Sequence, residues 1–170
     1  HAAARGVGLK LIVGAEFRLT DGLQLLLLAM HRQGYGQLCE LITRARRAAV
    51  KGDYRLDRQG IGEACLAGCL AIWIPATGCA GADDATWVRE RFPGRSWLGV
   101  ELLADGNDQT KLDALTALSR ASGVPAVATG DVHMHVRGRR ALQDALSAIR
   151  LKTTLAQAGD RLHMSGERHL

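Results

Sequence analysis

Asp131, His133 and His135 alternate within residues 127–136 (VATGDVHMHV). In extended backbone, successive side chains leave opposite faces, so these three would project from one face. A carboxylate with two imidazoles at a strand end can hold a divalent ion. The same trio can equally form a hydrogen-bonded surface cluster, because D-x-H-x-H is short enough to recur by chance.

Two further carboxylates have positions that suit chemistry. Glu16 falls near the end of the apolar stretch 9–19, where a strand would deliver it to a mouth or crevice. Glu101 interrupts the apolar run 96–103 and is either an outward-facing carboxylate or a ligand near the strand end. His31 reads as a surface or capping residue, and His163 and His169 carry no separate signal. Cysteines stand at 39, 65, 69 and 79, spacings that do not match a zinc ribbon, so reduced and mostly buried thiols are expected. That usage suits a cytoplasmic setting. Cys69 is either a core thiol or a neighbour of the cluster.

The elements that would position these groups alternate. Residues 1–8 read as a helix end, followed by a strand over 9–19 and a nearly continuous apolar strand over 23–30. An amphipathic helix follows over 34–50, with Tyr35, Leu38, Ile42 and Ala45 along one side and arginines in its last turns. A short helix over 58–64 leads to a strand over 66–75. After a glycine-containing connector at 78–82, a helix over 84–92 precedes a strand over 96–103. A helix over 110–121, a strand over 124–128 and a helix over 139–150 complete the pattern. In that last helix Leu142, Ala145, Leu146 and Ile149 are expected to face inward. Residues 151–170 read as irregular chain with a short helical turn. Apolar strands alternating with helices favour an α/β layered or barrel architecture, whose active sites gather at strand ends.

A chain of 170 residues with 47% hydrophobic residues can bury one ordinary core. No run approaches the roughly 18 apolar residues of a membrane span, and no membrane partner is expected. A net charge of +5 biases the chain toward anionic partners. The basic residues cluster around Arg44, Arg46 and Arg47, and again at Arg137, Arg139 and Arg140. Either cluster is a solvated helix face or a contact for nucleic acid or a neighbouring domain. Seven aromatic residues (three Trp, two Tyr, two Phe) are too few for a base-stacking platform. The chain opens at His1 without a start methionine, as an excerpt of a longer protein would.

Residues 8–17 (GLKLIVGAEF), 28–43 (LAMHRQGYGQLCELIT), 66–75 (LAGCLAIWIP) and 124–150 (VPAVATGDVHMHVRGRRALQDALSAIR) together resemble the PHP (polymerase and histidinol phosphatase) domain. That domain opens bacterial C-family DNA polymerases. The 133–150 segment and the closing 166–170 (GERHL) are most similar to the ImuC-type error-prone branch. The resemblance implies an incomplete, distorted (β/α)7 barrel, with residues 1–150 as the PHP portion and 151–170 leading toward polymerase domains of the same chain.

It also implies a divalent-metal cluster (Zn, Mn or Fe) to which Glu16, Asp131 and His133 would correspond, with Asp105, Glu101 and His135 as weaker contributors. The pattern is depleted. Asp105 stands where the family carries a histidine, Gln24 stands where another ligating histidine is expected, and the H-x-H motif would lie ahead of His1. A multi-metal phosphoesterase needs about eight to ten ligands, so the expectation is a structural module without polymerase chemistry of its own. The alternative is a metal-dependent phosphoesterase acting on 3′ ends or pyrophosphate. The parent would be a Mg-dependent, damage-tolerant DNA polymerase whose partner is DNA, and an open barrel could also self-associate.

Overall fold

The computed structural model describes residues 1–76, 81–163 and 166–170. Helix α1 (Ala2–Gly6) opens the chain, followed by β1 (Gly14–Arg18), β2 (Gln24–Ala29), α2 (Arg32–Arg47), α3 (Arg58–Glu63) and β3 (Cys69–Ile74). Next come α4 (Ala82–Arg91), β4 (Ser96–Glu101), α5 (Asp108–Ser122), β5 (Ala126–Thr129), α6 (Arg140–Arg150) and α7 (Leu155–Ala158). The strands form one five-stranded sheet in the order β1-β2-β3-β4-β5. β1/β2 and β2/β3 pair antiparallel and β3/β4 parallel, so the sheet is mixed, with β1 and β5 at its two ends. This is an alternating α/β fold whose sheet is not closed into a barrel. No helix among the described residues is long and apolar enough to cross a membrane.

The chain divides into two compact units, one of His1–Gly99 with Leu118–Ala126, the other of Val100–Ala117 with Val127–Leu170. In the first, strand alternation determines the core. Leu25 and Leu27 of β2 and Cys69, Ala71 and Trp73 of β3 are buried, while Gln24, Leu26, Leu28, Leu70, Ile72 and Ile74 are half-buried. The run 23–30, apolar enough to suggest burial on both faces, therefore buries only one face completely. Helix α2 packs on β1, β2 and β3 through Gly34, Leu38, Leu41 and Ala45. Tyr35, expected inward, is 51% exposed, because the helix turns its glycine edge to the sheet. Full burial of a side chain as large as Trp73 or Leu38 stabilises by about 1.5–3 kcal/mol.

Two arginines brace this unit from within. Arg91 donates to the carbonyls of Ile61 and Ala64, and Arg95 to those of Leu66 and Cys69, tying the end of α3 and the chain leading into β3 to two cationic side chains. His31 caps α2, its Nδ1 accepting from the Gly34 amide at 3.3 Å.

Several sequence expectations are corrected. The first strand begins at Gly14, not at residue 9. Leu9, Leu11 and Ile12 are exposed, and only the Val13 carbonyl, accepting from the Ala29 amide, extends the pairing. The described cysteines are free, but only Cys69 is buried, with Cys39 half-buried and Cys65 exposed. Burial pushes the Cys69 thiol up despite the opposing Arg95 charge, which suits packing rather than nucleophilic chemistry. Cys79 and most of the expected connector at 78–82 lie outside the described residues.

Helix α6 departs furthest from expectation. Leu142, Leu146 and Ile149 are 52%, 54% and 71% exposed, while Ser147 and Ala148 are buried. The side turned inward is the one that carries Ser147 and Ala148, not the leucine ridge.

Candidate functional site

The second unit carries the Asp131 loop. Past β5, Gly130 leads into Asp131, whose φ of 41° places it in the left-handed region. Asp tolerates that region better than most residues because its short side chain bonds locally. The backbone is therefore not extended at Asp131, and the strict alternation expected from Asp131 to His135 is broken at that residue. Asp131 and His133 still meet, with His133 Nε2 lying 3.1 Å from Asp131 Oδ1. His135 is exposed beyond the buried Met134.

The loop is held from the C-terminal side. The amides of His133 and Met134 both donate to the Arg168 carbonyl, at 2.9 and 3.2 Å. Met134 forms a parallel bridge with His169, and the His169 ring donates from Nδ1 to the Gly166 carbonyl at 3.0 Å. Glu167 pairs with Arg137 at 2.7 Å. These contacts deliver the Arg168 guanidinium onto Asp131 Oδ2, in an ion pair whose side chains are 19% and 29% exposed.

The imidazole of His133 is engaged on three sides. Nε2 faces Asp131, Nδ1 faces the Gln143 amide nitrogen of α6 at 3.5 Å, and the ring lies 4.5 Å from that of His163. The Gln143 amide also reaches the Ser147 hydroxyl at 3.5 Å. This explains the inverted helix, because the Gln143 and Ser147 edge of α6 serves the cluster. Burial, then the neighbouring His133 and Arg150, push the His163 imidazole below its ordinary range, against the pull of Asp144.

Glu16 belongs to the first unit, and its Oε1 accepts from Gln24 Nε2 at 2.7 Å, while Gln24 Oε1 accepts from Arg18 Nη2 at 3.1 Å. A hollow of about 150 Å³ beside Glu16 is lined mainly by Phe17, Ile42, Ala45, Arg46 and Tyr54. Glu101 ends β4, half-exposed. Asp105 accepts from the Asn107 amide at 3.0 Å, an ordinary Asx turn. Arg137 is held by Glu167, Arg140 lies 3.7 Å from Asp144 and donates to the His163 carbonyl, and Arg139 is exposed.

The implied metal can be tested against this donor set. Each Asp131 oxygen already faces a cationic or N–H donor, and both ring nitrogens of His133 face a partner. Among the described residues, no group of three or more His, Cys, Asp or Glu side chains is disposed to hold a metal ion. The arrangement does not fit a divalent centre. It is instead a closed hydrogen-bonded cluster running Arg168–Asp131–His133–Gln143–Ser147. Sequence reading missed Arg168, His163 and Gln143. Arg168 lies far from Asp131 in the chain, and the only pointer to it was its place in the GERHL segment.

No family model matches the chain. Curated proteins do. The chain is 52% identical over 172 residues to an error-prone DNA polymerase of Methylococcus capsulatus, covering all of this chain and 16% of that protein. It is 49% identical over 174 residues to that of Dechloromonas aromatica, covering all of this chain and 17% of that protein. The match to the Pseudomonas aeruginosa protein is 53% over 168 residues, covering 99% and 16%. The chain is thus homologous to a segment of bacterial error-prone DNA polymerases and spans about one-sixth of their length.

Proposed function

We propose that this chain is PHP-domain sequence of an error-prone, damage-tolerant C-family DNA polymerase, serving there as a structural module with no polymerase chemistry of its own. The carrying observation is a likeness of 49–53% identity that runs through essentially the whole chain. In this reading the parent performs Mg-dependent nucleotidyl transfer on DNA. Residues 151–170 would then lead toward its polymerase domains, and Arg137, Arg139 and Arg140 would serve as contacts for DNA or those domains.

The scaffold role is supported by what the depleted positions do. Gln24, at the place of an expected imidazole, uses its amide to hold the Glu16 carboxylate. A carboxamide is a poor ligand for zinc or manganese but a good donor to a carboxylate. The alternative, a metal-dependent phosphoesterase, draws on the retention of Glu16, Asp131 and His133.

The two separate in one assay. The purified chain is incubated with Mn²⁺ or Zn²⁺ and either a 3′-mismatched primer or pyrophosphate, beside Asp131→Asn and His133→Ala. The expected result is no turnover above that of the variants. Metal-dependent turnover that both substitutions abolish would replace the scaffold with the phosphoesterase. For the parent, primer extension by the full-length polymerase carrying Glu16→Gln should match the unsubstituted enzyme. A loss of extension without a loss of folding would sink the scaffold role.

A further inference from the structure

We propose that Arg168 is the resident cation of the Asp131–His133 site, and that the C-terminal strap 166–170 keeps a divalent ion out by delivering that guanidinium to the carboxylate. Every contact behind this assignment lies within the second unit and is independent of the polymerase relationship.

The guanidinium is placed, not merely nearby. Its residue is fixed through its own carbonyl, which accepts from His133 and Met134. It is fixed on one side by the Met134–His169 bridge and on the other by the Glu167–Arg137 pair. A cation pre-positioned by backbone contacts loses little freedom on meeting its carboxylate, and guanidinium matches carboxylate geometry well. Asp131 sits in the left-handed region, a conformation uncommon for a non-glycine residue. That conformation brings its two oxygens to two different donors, His133 Nε2 and Arg168.

For a divalent ion to bind Asp131, it would have to displace Arg168 or share the carboxylate with it. Sharing sets two positive charges side by side in a partly dehydrated site, where their repulsion is only weakly screened. Removing the guanidinium reverses the situation. A half-buried carboxylate is left without its counter-charge beside the His133 and His163 rings, and such a group recruits another cation. Arg168 is thus a positioning residue that determines which cation the loop holds.

The test uses Co²⁺ as the probe, followed by visible absorption and calorimetry, on the unsubstituted chain and on Arg168→Met, Arg168→Gln, Arg168→Lys and Asp131→Asn. The expected result is Co²⁺ affinity at least about tenfold higher in Arg168→Met and Arg168→Gln than in the unsubstituted chain, with Arg168→Lys unchanged. The gain should vanish when Asp131→Asn is added. Equal affinity in the unsubstituted chain and both charge-removing variants overturns the exclusion. Metal-free thermal denaturation supplies the second readout, usable even if one variant folds poorly. Asp131→Asn and Arg168→Gln should each lower Tm by roughly 2–4 °C, and the double variant no further than the larger single loss. Additive losses overturn the ion pair. Neither readout involves polymerase or phosphoesterase activity.

Discussion

The backbone of Gly34 in α2 lies directly on that of Gly68, ahead of β3. A Cβ added at Gly34 would stand 1.9 Å from the Gly68 carbonyl oxygen, and one added at Gly68 would stand 2.8 Å from the Gly34 Cα. Neither obstacle is a flexible side chain, so any substitution must push the helix off the strand. That helix buries Leu38, Leu41 and Ala45. Gly34→Ala should therefore cost at least about 2–3 kcal/mol, beyond the small propensity gain of alanine in a helix. Urea denaturation reads this as a lower midpoint with an unchanged slope. A midpoint equal to that of the unsubstituted chain would mean that the helix does not dock through this glycine pair.

Arg58 joins two carboxylates on separate segments, Asp21 at 2.5 Å and Asp84, with its guanidinium over the Trp87 ring at 5.0 Å. Burial alone would raise the Asp21 carboxyl. The Arg58 hydrogen bond, the Leu23 amide and the Arg58 charge outweigh it and hold Asp21 below its ordinary 3.8. A carboxyl depressed on folding contributes stability that is fully present above its unfolded value, and that stability is lost as pH falls through the folded value. Thermal denaturation of the unsubstituted chain and Arg58→Gln should thus show a constant gap in Tm above about pH 5 that narrows below about pH 4. A gap that persists unchanged into acid would rule out this linkage.

How far the sequence could be read depends on the range of the interaction. Strand and helix order followed from apolar runs and turn residues, because those patterns are local. The extension of the first strand over 9–13 failed because an apolar run cannot reveal whether a neighbouring strand is there to pair with it. Asp131 and His133 were legible as partners, but the extended geometry assumed for them was not, since nothing in D-x-H-x-H announces a left-handed aspartate. Arg168 was invisible for a different reason. It reaches Asp131 only after α6 and α7 have turned the chain back, so no spacing rule connects the two residues.

The Gln24 amide donates to Glu16 and its carbonyl accepts from Arg18, tying three side chains across β1 and β2. Gln24 lies opposite Arg18 in the register, so the tie is a cross-strand one. It faces solvent, and net values for such bonds are about 0.5–1.5 kcal/mol each at most. Gln24→Leu should lower stability by no more than about 1 kcal/mol, because leucine extends the half-buried row of Leu26 and Leu28. Chemical denaturation decides it. A loss several times larger would show that the Glu16 carboxylate depends on Gln24 for its only effective partner.

The outward ridge of α6 gives the most direct test of the inverted helix. Had Leu142, Leu146 and Ile149 faced a core, replacing each with a polar residue would cost about 2–5 kcal/mol, as large-to-small core changes do. On the exposed side the same changes fall within roughly 0.5 kcal/mol each. Leu142→Gln, Leu146→Gln and Ile149→Gln should therefore leave the denaturation midpoint nearly unchanged, singly and together. Ser147→Leu should do the opposite, since the buried Ser147 hydroxyl lies against Gln143, which in turn faces His133. A larger apolar side chain there displaces the amide that fixes the ring, and overpacking alone costs about 1–3 kcal/mol. The contrast between a tolerant leucine ridge and an intolerant serine reverses what helical hydrophobicity predicts. If the ridge proved costly and Ser147 permissive, the helix would be oriented as its sequence pattern suggests.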